Sequence, residues 1–211
     1  MNPVKEYYQT RAKEVIAEFK ERNMEGYYCS TRKEAVAKAL ELSEEGSSVS
    51  WGGSMTLRNI NLINELKTNN YQTIDRSTAE NEKEKYQIYY EALDSDYYFM
   101  SANAITLDGK LVNIDGRGNR IAALIYGPDE VIIIAGMNKI VRDEETALKR
   151  VKNHAAPINA MRLDQDTPCT GTGRCHNCLV EDCICSQQLV TRYSRETGRI
   201  KIILVGEELG Y

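Results

Sequence analysis

The sequence predicts an α/β fold, a three-layer α/β/α arrangement with a mostly parallel sheet and a central antiparallel hairpin. Three observations carry that reading. Short apolar runs of strand length alternate with amphipathic stretches of helix length along the whole chain, the pattern of right-handed crossovers between parallel strands. Val131 to Ala135 and Ile200 to Val205 are apolar throughout, as strands covered on both faces are. Asp108-Gly109 is a turn pair between two extended segments, which adds an antiparallel piece.

Taken in order, Asn2-Pro3 is an N-cap followed by a first-turn proline, and Val4, Tyr8, Ala12, Val15, Ile16 and Phe19 recur at helical spacing. Glu25-Gly26 ends that helix, and Tyr27 to Cys29 is a short strand in which Cys29 reads as core. Thr31 and Glu34 have the spacing of a capping box. The helix they open carries Ala35, Val36, Ala39, Leu40 and Leu42. Ser48 to Trp51 is the next strand. It runs into Gly52-Gly53-Ser54, after which Leu57, Ile60, Ile63 and Leu66 mark one face of a further helix. Tyr71 to Ile74 reads as a strand and Thr78 to Leu93 as a charged helix.

The chain is organised around Asp96 to Gly136. Tyr97 to Met100 is a strand, Lys110 to Ile114 resumes an extended pattern after the Asp108-Gly109 turn, and Asp115-Gly116-Arg117-Gly118-Asn119 is a loop with two glycines. Ile121, Ala122, Leu124 and Ile125 then give a short helical face that stops at Gly127-Pro128. Asp143 to Ala155 predicts a helix and Pro157 to Leu163 a short one. Ile200 to Val205 closes the chain as a strand, paired through a turn at Arg195 to Gly198.

The totals bound the function. A chain of 211 residues, 42% apolar and 27% charged, suits one domain over 1–211 with a proper core. A net charge of -4 argues against nucleic acid as a partner. No run of about 18 apolar residues occurs, so no membrane span is expected. The charged N-terminal stretch lacks a signal-peptide core, and the expected compartment is the cytoplasm.

Two constellations carry chemistry. Gly52-Gly53-Ser54 and Gly116-Arg117-Gly118-Asn119 each join a strand to a helix start, where unpaired N–H groups and the helix dipole favour an anion. Arg117 and Arg120 flank the second turn, and Asp115 beside it is a candidate base. These residues are the candidate site for a small anionic ligand, with plain tight turns as the alternative. Neither turn matches a nucleotide-binding glycine motif.

The second constellation is the segment 169–185, where Cys169, Cys175, Cys178, Cys183 and Cys185 place five thiols within seventeen residues. In a reducing compartment such a set points to metal rather than disulfides. An iron-sulfur cluster would make the segment an electron carrier, zinc a structural clasp, and a thiol-rich loop without metal is the plain alternative. The two histidines are poor catalysts by position: His176 reads as a loop residue and His154 as a helix-end residue. A Ser/His/Asp or Cys/His hydrolase is therefore poorly supported.

The run SANAITLDGKLVNIDGRGNRIAALIYGPDEVIIIAGMNKIV, Ser101 to Val141, with Gly52-Gly53-Ser54 before it and the cysteine segment after it, resembles the lactate-utilisation (LUD) domain family. More distantly it is similar to the NagB/RpiA/CoA transferase-like superfamily of sugar-phosphate isomerases and CoA transferases. The resemblance implies a bacterial protein accessory to oxidation of L-lactate to pyruvate. It would work beside iron-sulfur and oxidoreductase partners, with a homo-oligomer as a further expectation. The family's short-chain branch carries C-x5-C-x2-C-x6-C with Arg two residues before the last cysteine. Cys169, Cys175, Cys178 and Cys185 match, and Cys183 stands where the Arg would be, adding a fifth candidate ligand. In the sugar-phosphate and CoA relatives the site lies at the glycine turns, which implies Gly52, Gly53, Ser54, Gly116 and Gly118 here. Their catalytic carboxylate has no clear counterpart, so the alternative readings are a sugar-phosphate or CoA-thioester enzyme with a structural zinc site, or a non-catalytic regulatory subunit.

Overall fold

A computed structural model describes residues 2–211. The first helix, α1 (Pro3–Glu21), starts where predicted: Asn2 caps it by accepting from the Val4 N–H, and Pro3 occupies the first turn. It leads to β1 (Glu25–Cys29), then to α2 (Arg32–Glu41) and β2 (Ser48–Trp51). The capping pair of α2 is split between two residues. Thr31 accepts from the Glu34 N–H, while the Glu34 carboxylate reaches back to the Ser30 N–H.

The single helix expected after Gly53 is two. α3 (Met55–Asn59) and α4 (Leu62–Thr68) are separated at Asn61, whose φ of 63° lies in the left-handed region. Asparagine tolerates that conformation because its side chain bonds locally, here accepting from the Asn64 amide at 2.8 Å. The apolar spacing survives the break, and Leu57, Ile60, Leu62 and Leu66 are all buried. β3 (Gln72–Ile74), α5 (Glu82–Glu91) and β4 (Tyr97–Met100) follow. The helix expected from Thr78 begins four residues later, capped by Asn81.

Next come β5 (Ala104–Thr106), β6 (Leu111–Asp115), α6 (Asn119–Ile125), β7 (Glu130–Gly136) and β8 (Ile140–Val141). The helical run α7 (Glu144–Arg150) passes through a π-turn at Val151–Ala155 into α8 (Ala156–Arg162). Pro157 sits near the start of α8, where its missing N–H matters least. The chain closes with α9 (Pro168–Thr172), β9 (Gln187–Thr191) and β10 (Ile200–Val205).

Among the described residues the strands form two sheets. The first has the order β1-β10-β7-β4-β2-β3 and every pairing in it is parallel. Its strands are covered on both faces, as period-two alternation shows. Ile132, Ile134, Ile203 and Val205 point to a core with α2, α3 and α4, whereas Val131, Ile133, Ile202 and Leu204 point to a core with α1 and α6. Each of these isoleucines contributes about 1.5–3 kcal/mol relative to exposure. The protein is a three-layer α/β fold with helices on both faces of a parallel sheet.

The second sheet has the order β8-β5-β6-β9. β5 and β6 are the antiparallel hairpin that the Asp108-Gly109 turn predicts, with Ala104 opposite Val112. The hairpin does not lie within the parallel sheet, however, but stands beyond it. β10, expected to pair with its predecessor through the Arg195 to Gly198 turn, instead enters the parallel sheet between β1 and β7, while β9 pairs with β6. Strands β2, β4 and β7 are neighbours, so their carboxyl ends open side by side.

Candidate functional site

A cavity of about 820 Å³ lies at those carboxyl ends, a size suited to a small molecule. The turn after β2 supplies Gly53 and Ser54, the turn after β6 supplies Asp115, Gly116, Arg117 and Asn119 but not Gly118, and the segment after β4 supplies Ser101, Ala102 and Asn103. The two glycine turns meet through one side chain. A Cβ on Gly52 would stand 3.1 Å from Cδ of Arg120, and the Arg120 guanidinium donates to Asp115 Oδ1 at 2.5 and 3.0 Å.

Arg120 is saturated and nearly buried. Besides Asp115 it donates to the carbonyls of Ser101 and Ile114 and to the amide oxygens of Asn103 and Asn113. Asn113 is fully buried and its own Nδ2 finds no partner among the described residues. Asp115 has a second task, accepting from the Ile121 N–H at 3.0 Å, so it caps α6 from inside the cleft. Ser54 does the same for α3 by accepting from the Leu57 N–H. The helix starts that the sequence offers as anion donors are thus partly occupied by the protein's own oxygens. Arg117 is turned outward, bonded to Glu82 and Tyr86 and stacked over the Tyr86 ring at 5.6 Å.

Gly116 and Gly118 are required for different reasons. Gly118 has a φ of 84°, which only glycine adopts without strain. Gly116 is required by proximity, since its Cβ would lie 3.2 Å from the Cα of Ile184. That contact brings the cysteine segment onto the glycine loop, and Cys183, Ile184 and Cys185 form part of the cavity wall. Asn119, at the start of α6, lines the same wall. A Cβ on Gly53 would stand 2.5 Å from the Arg76 guanidinium, which lies over the Tyr89 ring and also faces the cavity.

None of the five thiols is in a disulfide. Burial pushes the Cys185 thiol up to about 12, and the charges of Cys183, Cys175, Cys169 and Cys178 push it the same way. Cys178 is likewise raised, burial being the largest cause and the nearby Cys183 thiol the next. Cys169 Sγ lies 3.1 Å from the Thr167 hydroxyl and Cys175 accepts from the Asn177 N–H. Five thiols on one segment fit a thiophilic metal in kind and number. They are gathered without being closed into a cage, since no three His, Cys, Asp or Glu side chains among the described residues converge on one point. His176 is exposed in this loop, bonded to Thr172, and His154 is exposed in the π-turn.

The sequence reading missed Lys139. It is 3% exposed, at the end of a short 3₁₀ turn after β7, and lines the cavity. Its Nζ donates to Thr56 Oγ1 and Ser101 Oγ at 2.9 Å and to the Ala102 carbonyl at 3.2 Å, with no carboxylate within ion-pair distance among the described residues. Burial, then the charges of Arg150 and Arg120, lower its pKa to about 7. Arg150 is spent on the carbonyls of Asn103 and Asn138. A polar lysine three residues past an apolar strand end was the only available signal, and it is a weak one.

The cavity wall carries Arg76, Lys85, Arg117, Arg120, Lys139 and Arg162 against Asp115, Glu181 and Asp182. With Asp115 paired to Arg120, and Lys85 and Arg117 to Glu82, the remaining charges are Arg76, Lys139 and Arg162 against Glu181 and Asp182, a balance that is still cationic and suits an anion.

The profile of one protein family, described as the LUD domain, matches residues 12–205. Among solved structures the chain is similar to a DUF162 family protein from Deinococcus radiodurans. Their identity is 14% and the TM-score 0.49, with 95% of this chain and 98% of that chain covered. It is also similar to eIF2B delta from Chaetomium thermophilum, at 17% identity and a TM-score of 0.34, with 56% of this chain and 50% of that chain covered. A ribose 5-phosphate isomerase from Plasmodium falciparum has the same identity and TM-score, with 53% and 52% covered. No curated protein matches the chain. No helix among the described residues is long and apolar enough to cross a membrane.

Proposed function

The chain belongs to the LUD domain family, and from that premise we propose that it is an accessory redox protein of organic-acid metabolism serving lactate utilisation. In this reading the cleft binds a small organic anion, and the cysteine segment holds a metal centre beside it. The observation that supports it is the contact of Ile184 with Gly116, which puts Cys183 and Cys185 in the wall of a cationic cavity. Anion cleft and thiols then act as one site rather than two.

Cys169, Cys175, Cys178 and Cys185, with Cys183 as the fifth, are the residues that would hold an iron-sulfur cluster or zinc. A cluster would supply one-electron transfer, whereas zinc would fix the segment. The chain's own residues do the rest. Asp115 fixes Arg120, Arg120 ties together the turns after β2, β4 and β6, and the cationic wall draws in the anion. Free thiols of this kind belong in a reducing compartment, so the proposal includes a cytoplasmic setting and an iron-sulfur or oxidoreductase partner protein.

The test is anaerobic purification followed by visible absorption, iron, sulfide and zinc determination. A coloured protein with bound iron and labile sulfide supports the redox form, and stoichiometric zinc the clasp form. A protein that retains no metal after reconstitution overturns the metal centre.

A further inference from the structure

Arg120 and Lys139 line the cavity and the charge of Arg150 acts on Lys139 from α7, and Asp115 is the one carboxylate bound to any of the three among the described residues. Asp115 is taken by Arg120. Lys139 is thus a buried amine with hydrogen bonds but no counter-charge, an arrangement that penalises its charged form and that folds retain where function needs it. Carbonyl and hydroxyl oxygens satisfy its donors but carry no full charge. Every group that packs on Nζ is of this kind or positive. Thr56 comes from α3, Ser101 and Ala102 follow β4, the positive charges of Arg120 on α6 and Arg150 on α7 act on it, and a Cβ on Gly210 would stand 3.5 Å from it, while the cavity lies on its open side.

We propose that Lys139 is the anion-recognition residue of the cleft, and that the oxyanion of the ligand, a carboxylate or a phosphate, supplies its missing counter-charge. This inference rests on the anion half of the proposed function and names the group on which that half turns. It also differs from the site the sequence suggests, because recognition moves from the helix starts to a side chain at the end of β7.

A consequence follows from the position of the ammonium. Burial and the two guanidinium groups leave Lys139 partly deprotonated near neutral pH. An anion placed beside it reverses that effect, so binding takes up a proton from solvent and weakens as pH rises. A lysine with a purely structural role shows no such coupling.

Isothermal titration of the anaerobically purified full chain at pH 8, in two buffers of unlike ionisation enthalpy, measures the uptake directly. L-lactate, pyruvate and inorganic phosphate are the probes, and the carboxylates against phosphate decide which oxyanion the cleft takes. The expected result is proton uptake approaching one per bound anion. Lys139→Met keeps the volume, removes the charge and is expected to fold with an undiminished Tm. It should abolish the uptake and weaken binding by about thirtyfold or more, the ratio for losing a buried charge pair. If an anion binds without proton uptake, or binds Lys139→Met as it binds the parent, the inference is wrong and the proposed function stands. If none of the probes binds either protein, both fall.

Discussion

Ile184 rests on Gly116: a Cβ at Gly116 would stand 3.2 Å from the Ile184 Cα, closer than ordinary packing allows. One backbone contact therefore joins the thiol segment to the loop that ends β6. Gly116→Ala pushes on backbone rather than on a flexible side chain, and something must yield by a few tenths of an ångström. The expected outcome is a loss of about 1–2 kcal/mol in urea denaturation and fewer metal ions retained per chain. Unchanged metal content would separate the segment from the loop.

Asp115 and Arg120 form a pair whose side chains are 9% and 11% exposed. Removing one partner leaves the other charge buried, so Asp115→Asn is expected to cost about 3–5 kcal/mol. The double variant Asp115→Asn/Arg120→Met removes both charges and should recover part of that loss. Chemical denaturation of the parent, Asp115→Asn, Arg120→Met and the double variant measures the coupling, and additive losses would show that the pair is not one unit.

Lys139 also predicts how stability depends on pH. Its folded pKa, about 7, lies below the unfolded value, so between them the unfolded chain binds more protons and stability rises with pH. Below the folded value the full penalty of a buried charge applies. In the metal-free chain Cys185 acts in the opposite sense. Its raised folded pKa costs stability only above the unfolded thiol value of 9.0, where the unfolded chain ionises first. Urea midpoints at pH 7, 7.5, 8 and 8.5 therefore isolate the lysine. The parent should gain up to about 1.4 kcal/mol per pH unit relative to Lys139→Met, and parallel curves would show that the lysine titrates normally.

Arg117 tests the site from the other side. The sequence places it beside the anion, whereas the structure binds it outward to Glu82 and Tyr86. Arg117→Ala is expected to change anion affinity by no more than about twofold, the size of a screened surface charge. A tenfold loss would return recognition to the glycine turn.

Much of this arrangement was legible in the chain. Alternating apolar strands and amphipathic helices gave the three layers, because strands such as Val131 to Ala135 can be stable only when both faces are covered. Gly52, Gly116 and the cysteines were visible as local patterns. The second sheet was not: β9 begins with the exposed Gln187 and Gln188, so no apolar alternation announces it. The break at Asn61 hid within a spacing that fits one helix equally well. Asp115 looked like a base beside a free helix start, yet it caps that start and holds Arg120, a pairing set by side-chain directions at the mouth of the cleft. Lys139 was missed because its meaning lies in what surrounds it. Nothing in GMNKIV tells that Arg120 and Arg150 close in from other elements.

In the proposed function the anion cleft and the thiol segment are one site. Titrating pyruvate into anaerobically prepared, metal-loaded protein while following the thiolate-to-metal absorption tests it most directly. The expected spectrum shifts and saturates with the same affinity that calorimetry reports. A bound anion that leaves the spectrum unchanged, or a chain that holds no metal, would contradict it.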